Sequence, residues 1–510
     1  MVALAFAAPL VYLAIGTLTD TEAAGHLLSR DALAPLLRTL TLAVSVSTAA
    51  AVLGTGAAWL VTRTDLPGRR IWRLLLPLPL VIPSFLGAFA LIAALAPGGL
   101  VSSLLGVTAL PQLRGLAGAF GVLTLLTYPY VYLPVAARLN QLPPSLEEAA
   151  RLFGRRPREV FAEIVLPQIR SSILAGTLLV FLYAVSEFGA VQLLRYDTYT
   201  RLIYSALRSL ELPLASALGL QLAVLALLVV LLERGVARAP TRVASRGIRG
   251  LHVPLGRWRA VATAGVATLV GTALVAPVAV LSFWAFRGLV RGSTRSSAVV
   301  TDLGRLLTPT WNTTRVSVAA AVLSIVVVLP IAYLTVRRRT VTGTVSNALV
   351  VAGFALPGLV VALSLVSWVI GSPVLSVAYQ TIPLLVVAYV VHFGAQSLRA
   401  AEVAVASVPV RLEDAARALG AGRVRRFVTV ELPLMLPGLL AGAGLVLLST
   451  MKELPATLVL APPGFETLAT RVWNASQDVF LADASIAGLV LILLSGVLTW
   501  VLVVRRSDAL

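Results

Sequence analysis

Apolar runs long enough to cross a bilayer follow one another almost without interruption along this chain. They constrain its fold more than any single motif does. A membrane-spanning helix needs roughly 20 predominantly apolar residues. Twelve runs qualify, near residues 2–18, 37–62, 74–96, 116–138, 169–194 and 212–233, then 259–286, 312–336, 345–370, 381–400, 436–460 and 484–504. They leave almost no chain for a soluble domain, so the expected fold is an all-α polytopic membrane protein with twelve transmembrane helices. Composition points the same way, with 12% charged residues against about 25% in a soluble domain.

The net charge of +19 would suggest nucleic acid in a soluble protein, but its placement decides otherwise. With the N-terminus in the cytoplasm, the inner loops hold 28 of the 41 Lys and Arg and 11 of the 22 acidic residues. That asymmetry is a topology signal, with anionic lipid as the neighbour of the basic side. Both termini then lie in the cytoplasm. The N-terminal run starts without a charged region and shows no small-residue cleavage site before Thr17, Asp20 and Glu22. It reads as a first membrane span rather than a removed signal peptide. There is no cysteine, which excludes disulfide frameworks, thiolate metal sites and cysteine nucleophiles. His26, His252 and His392 are scattered without ligand spacing, so neither a cofactor nor a resident metal is expected.

One polar device occurs twice. Glu148-Ala149-Ala150-Arg151-Leu152-Phe153-Gly154 closes at Ile164-Val165-Leu166-Pro167, and Asp414-Ala415-Ala416-Arg417-Ala418-Leu419-Gly420 closes at Val430-Glu431-Leu432-Pro433. The two glycines are 266 residues apart, and Leu174-Ala175-Gly176 and Leu440-Ala441-Gly442 keep that offset. Upstream, Ala58-Trp59-Leu60-Val61-Thr62-Arg63 matches Ala332-Tyr333-Leu334-Thr335-Val336-Arg337 at an offset of 274, as does Val81-Ile82-Pro83 with Ala355-Leu356-Pro357. The outer loop after Pro97 is longer in the first half, which accounts for the change of offset. Six spans per half is an even number, so the repeats are parallel rather than inverted. The expected domains are a first half over 1–233, a basic cytoplasmic linker over 234–258 and a second half over 259–510.

The repeated loops span about 145–167 and 411–433. In the first, Ser145 reads as an N-cap with Glu148 as its capping-box partner. A helix follows to Phe153, and Gly154 suits its C-terminus or a tight turn. A second short helix over Arg158–Val165 carries Val160, Phe161 and Ile164 at helical spacing, and Leu166-Pro167 ends it before the next span. The second copy runs in the same way over 412–419, Gly420, and 423–430. Two short helices meeting at a glycine would offer an apolar knob to a cytoplasmic partner. A single loop of this kind could equally rest on lipid headgroups, but two copies of identical spacing favour the partner.

Both copies resemble the coupling loop of ABC-importer permeases, the membrane subunits whose short cytoplasmic helix docks on an ATP-hydrolysing subunit. The resemblance covers the whole chain as two tandem permease halves. It implies a prokaryotic plasma-membrane location, a pair of ATPase subunits and an extracytoplasmic solute-binding protein. It implies docking roles for Glu148, Ala149, Ala150 and Gly154, closing at Leu166 and Pro167. In the second half the matching residues are Asp414, Ala415, Ala416 and Gly420, closing at Leu432 and Pro433. Asp replaces Glu and Val430 replaces Ile in that copy. No G-x-x-x-x-G-K-[ST] phosphate loop is present and the sole lysine is Lys452, so the chain is expected to be no enzyme and ATP hydrolysis falls to another subunit.

Glu187 and Glu453 occupy matching positions late in spans five and eleven, where Gly189 and Pro455 would loosen the helix. They are candidates for a translocation path that suits a cation, or else anchors at the outer interface. The whole-chain pattern is similar to the fused ferric-iron permeases through Tyr128-Pro129-Tyr130-Val131-Tyr132, Lys452 to Thr457, Arg471-Val472-Trp473 and Ala475-Ser476. That implies ferric iron or an iron chelate as solute. Fused permeases for thiamine, phosphonate or another small solute share the architecture. A secondary transporter driven by an ion gradient would instead need carboxylate or histidine relays in mid-membrane and gives no reason for two matched cytoplasmic loops.

Overall fold

The computed structural model describes residues 4–27, 29–108, 110–142, 147, 148, 150, 152–237, 253–291 and 304–499. They are almost entirely helical. Among them the one β-type contact is a bridge between Thr64 and Val253. Ten helices among the described residues are long and apolar enough to cross a membrane, and an eleventh span results if Val341–Phe354 and Gly358–Ile370, which meet at 108°, count as one. The shorter apolar helix Phe6–Thr19 falls on the first of the twelve expected runs, so each run has a helical counterpart. The chain is therefore a polytopic, all-α, multi-pass membrane protein. Hydroxyls inside the helices bond back to their own backbone, as in Thr62 to Ala58 and Thr127 to Leu123. This satisfies the polar side chain without water.

The chain packs into two compact units, and each draws on both sequence halves. One comprises residues 1–32, 203–227 and 285–510. Its centre is the Gly304–Val336, Ile382–Ser407 and Leu432–Met451 helices. Small residues let these approach closely: a Cβ on Gly442 would lie 2.7 Å from that of Ala400, and one on Gly438 2.8 Å from that of Ala404. A hydrogen bond of 2.5 Å joins the buried Ser324 and Ser397 across two of them. The N-terminal helix Leu4–Thr19 packs on the bent pair, with the Phe6 ring against Gly353 and Gly394.

The other unit comprises residues 33–202 and 228–284. The Pro129–Gln141 and Leu166–Ser186 helices cross where Gly176 leaves room, since a Cβ there would lie 2.7 Å from Val131 Cα. The helical stretch from Gly256 packs on Gly115–Thr127, and Trp284 Nε1 donates to the Ala93 carbonyl at 2.9 Å. The backbone N–H of Val253 donates to the Arg63 carbonyl at 2.8 Å, which ties the last part of the expected linker to the end of the Arg30–Arg63 helix. Of that linker, residues 238–252 lie outside the described residues.

One expectation is corrected. Leu166-Pro167 and Leu432-Pro433 do not end the second loop helix. Each loop helix continues into its membrane helix through one π-helical turn, Phe161–Val165 and Phe427–Glu431. A proline inside an α-helix lacks an N–H and collides with the carbonyl four residues back. Widening the turn ahead of it relieves the collision, so the helix bulges instead of stopping. The third π turn, Gly271–Val275, precedes Ala276-Pro277 in the same way.

Candidate functional site: two matched loops and two capped helix breaks

In the second loop, the Val410–Ala418 helix ends at Leu419 and Gly420, and Arg423–Arg426 leads into the π turn. Gly420 has φ +78°, its N–H donates to the Arg417 carbonyl at 2.9 Å, and the N–H of Ala421 donates to the Ala416 carbonyl at 3.0 Å. These two bonds around a left-handed residue form a Schellman ending. In the first loop Gly154 also has φ +78°, and the Arg155 N–H reaches the Ala150 carbonyl at 3.1 Å. Only glycine adopts that angle without strain. The turn pushes apolar side chains outward: Leu152 and Phe153 are 88% and 87% exposed, and Leu419 is 88% exposed.

The other expected docking residues divide by burial. Glu148, Asp414, Ala415, Pro167 and Pro433 are exposed, Ala416 and Leu432 are half-buried, Leu166 is at the edge of exposure and Ala150 is buried. Ala149 lies outside the described residues, as do Ser145, the expected N-cap, and Arg151. Asp414 pairs with Arg417 at 3.1 Å on the surface.

A buried ion pair underlies each loop, on residues the sequence reading passed over. Arg63 meets Glu147 at 3.1 Å with side chains 2% and 3% exposed, and Arg337 meets Glu413 at 3.0 Å with 20% and 11%. The two arginines match at the offset of 274 and the two glutamates at 266. Each arginine also donates to the end of the helix that precedes its loop, Arg63 to the Leu139 carbonyl at 2.7 Å and Arg337 to that of Val408 at 2.5 Å. One turn earlier on the same helix, the Trp59 ring lies 4.7 Å from that of Phe161, and the Tyr333 ring lies 6.3 Å from that of Phe427. Tyr333 further donates to Glu431, which Arg426 also holds at 2.6 Å. Aligning Ala58–Arg63 with Ala332–Arg337 was the signal for these residues.

Glu187 and Glu453 sit at breaks in the helices, as Gly189 and Pro455 suggested. Leu166–Ser186 gives way to Gly189–Leu193, and Leu432–Met451 to Pro455–Leu460. Both carboxylates are buried and cap the short helix that follows, accepting from the Ala190 N–H at 2.8 Å and the Ala456 N–H at 3.1 Å. The Ser84 hydroxyl donates to Glu187 at 2.8 Å. Gly358 takes the place of Ser84 in the other half, where a Cβ would come within 2.6 Å of Glu453 Oε1. Backbone carbonyls at the breaks are satisfied too, by Thr200 at Glu187 and by Thr457 at Glu453. The two glutamates belong to different compact units.

Residues 50–240 and 324–507 each match the model of a family described as binding-protein-dependent transport system inner membrane component. The Fe(3+)-transport system permease protein FbpB 2 of Haemophilus influenzae is 30% identical, over 92% of this chain and 90% of its own length. The probable ABC transporter permease protein y4fN of Sinorhizobium fredii is 26% identical over 88% and 82%. The sulfate transport system permease protein CysT of Salmonella typhimurium aligns to only 33% of this chain, at 27% identity over 63% of its own length. With the family domain present twice and a relative aligned along nearly its full length, the chain belongs to the binding-protein-dependent inner-membrane transport components, as a fused two-domain permease of an ABC importer.

Proposed function

We propose that this chain forms the whole membrane pathway of an importer for ferric iron or an iron chelate, driven by a separate ATPase. The proposed halves are 1–233 and 259–510, joined through 234–258, with both termini in the cytoplasm. Family membership implies an ATPase and a solute-binding protein as partners, and two matched loops suit two ATPase copies. The observation that carries the coupling role is the pair of left-handed glycine turns at Gly154 and Gly420, each presenting exposed apolar side chains. Glu148, Ala149, Ala150, Leu166 and Pro167 complete the first docking loop, and Asp414, Ala415, Ala416, Leu432 and Pro433 the second. ATP-driven closure of the ATPase pair moves the loops and turns the halves between inward- and outward-facing forms. The chain itself does no chemistry on the solute.

Iron rests on the name of a relative aligned over 92% of this chain. Glu187 and Glu453 are the proposed polar positions on the path, since buried carboxylates at helix breaks suit a passing cation. A second reading, import of an oxyanion or another small solute such as thiamine or phosphonate, draws support from the half-length sulfate and molybdenum permeases. The deciding experiment is to identify the solute carried by the cognate binding protein and to measure its uptake by proteoliposomes holding the complete complex. Ferric iron in that protein, with iron uptake that requires ATP, supports the proposal. Sulfate, molybdate, thiamine or phosphonate in its place overturns the choice of iron.

A further inference from the structure

The coupling loops do not by themselves explain why Ala58–Arg63 and Ala332–Arg337 match. In each, an aromatic residue and an arginine stand four positions apart, so they lie on one face of the helix. The aromatic residue touches the loop beyond its glycine, at Phe161 or Phe427, and the arginine holds the loop before its glycine, at Glu147 or Glu413. The same guanidinium binds the last carbonyls of the preceding helix, at Leu139 or Val408. Both arms of each loop are thus attached to a single turn of one membrane helix, while the tip around Gly154 or Gly420 stays free, with nothing within 4 Å of where a Cβ would be.

We propose that Trp59 with Arg63, and Tyr333 with Arg337, are positioning residues that transmit coupling-loop movement into the Leu33–Arg63 and Gly304–Val336 spans. Loop and helix end move as one body. A force on the tip cannot be absorbed by swinging either short helix, because both are fixed to the same turn. Stability alone is a poor reason for the ion pairs. Removing two charges from water cancels much of their attraction, and apolar residues of similar volume would hold as well. What the arginine adds is direction, since one guanidinium donates to the carbonyl at the end of the preceding helix while its charge holds the loop carboxylate at 3.0–3.1 Å.

The inference rests on the docking role proposed for the loops, and its test is separable from the test of that role. The full chain, assembled with its cognate ATPase and binding protein, carries the methionine pair or the lysine pair. In the methionine pair, Arg63→Met and Arg337→Met are each combined with an apolar replacement of the partner glutamate (Glu147→Leu and Glu413→Leu), so that no buried charge is left unpaired. The lysine pair is Arg63→Lys with Arg337→Lys. With the methionine pair the complex assembles at normal yield and basal ATP turnover stays within about twofold, while stimulation by loaded binding protein falls about tenfold, within the usual range of coupling between sites. The lysine pair recovers part of that stimulation. Unchanged stimulation in the methionine pair overturns the proposal, and so does a loss that only follows loss of the complex. Where the methionine pair fails to fold, a crosslink decides. The chain has no cysteine, so Trp59→Cys with Phe161→Cys supplies the only thiols. With the thiols reduced the Trp59 contact is missing and stimulated uptake falls, and bridging them by oxidation or a short bismaleimide rebuilds a joint that moves as one body and restores uptake. Normal uptake with the thiols reduced, or uptake that bridging lowers further, overturns the proposal. Gly154 and Gly420 variants that leave coupling intact would instead remove the docking role itself.

Discussion

Gly154 and Gly420, 266 residues apart, share a backbone φ of +78°, and after each the next N–H bonds back to the carbonyl five residues earlier, Arg155 to Ala150 and Ala421 to Ala416. Open space surrounds both positions, so a substitution there acts through the backbone and not through a clash. A left-handed residue other than glycine costs about 1–2 kcal/mol, and asparagine tolerates the conformation best. Replacing both glycines with valine should therefore abolish solute-stimulated ATP turnover and weaken recovery of the ATPase with the chain. The asparagine pair should keep most of both. Co-purification and turnover in proteoliposomes measure the contrast, and equal behaviour of the two pairs would mean the turn is dispensable.

The Ser84–Glu187 contact separates charge from capping. Glu187→Gln retains an oxygen for the Ala190 N–H and the Ser84 hydroxyl. Glu187→Ala leaves both donors unpaired in a buried site, at about 1–3 kcal/mol for each group. The alanine variant should thus melt several degrees lower in detergent, while the glutamine variant melts near the parent. If the carboxylates serve the solute, Glu187→Gln with Glu453→Gln lowers uptake despite normal melting. Normal uptake in that double variant would leave both residues as helix caps alone.

Two matched glycines predict opposite behaviour from a third. Gly176 and Gly442 occupy equivalent positions where a Cβ would press to 2.7 Å on Val131 Cα and on the Ala400 side chain. Alanine at either should destabilise by about 1–3 kcal/mol through overpacking. Gly56, inside the Arg30–Arg63 helix, has nothing within 4 Å. Alanine there should stabilise by up to about 1 kcal/mol, the helix-propensity difference. Melting temperatures of the three single variants test the signs.

Pro167 and Pro433 stand two residues beyond the last residues of π turns, and the bulge follows from the missing N–H. With alanine the turn can revert to α-helix, which rotates the loop by about 100° against its membrane helix, one residue's share of a 3.6-residue turn. The Pro167→Ala and Pro433→Ala pair should melt at or above the parent temperature yet couple poorly. Thermal melting set beside stimulated ATP turnover would expose that split, and intact coupling would rule out a role for the bulge.

Hydropathy made the helical inventory legible, because crossing lipid demands length and apolarity whatever the neighbours are. The helix breaks at Glu187 and Glu453 were legible through Gly189 and Pro455, and the loop turns through Gly154 and Gly420. Which apolar face meets protein was not, since lipid and protein interior select the same side chains. Val46 is fully buried and Val52 is 68% exposed on the same helix, with nothing local to tell them apart. The Arg63–Glu147 and Arg337–Glu413 pairs stayed hidden for another reason. Their partners lie more than 70 residues apart, so only the repeat alignment brings the four residues into view. Pro167 misled because proline is normally a stop signal and the wider turn that accommodates it leaves no mark in the sequence.

Each compact unit contains the opening helix of the other sequence half: Leu4–Thr19 belongs to the unit built mainly from the second, and Arg259–Val270 to the unit built mainly from the first. Neither half is therefore self-sufficient. A polypeptide cut between residues 237 and 253 would yield two fragments that each lack a piece of their own core and must exchange helices to mature. A continuous chain keeps the two at the high mutual concentration of a tether and guarantees them in equal number. Joined synthesis makes this obligatory exchange independent of how much of either half a cell happens to produce.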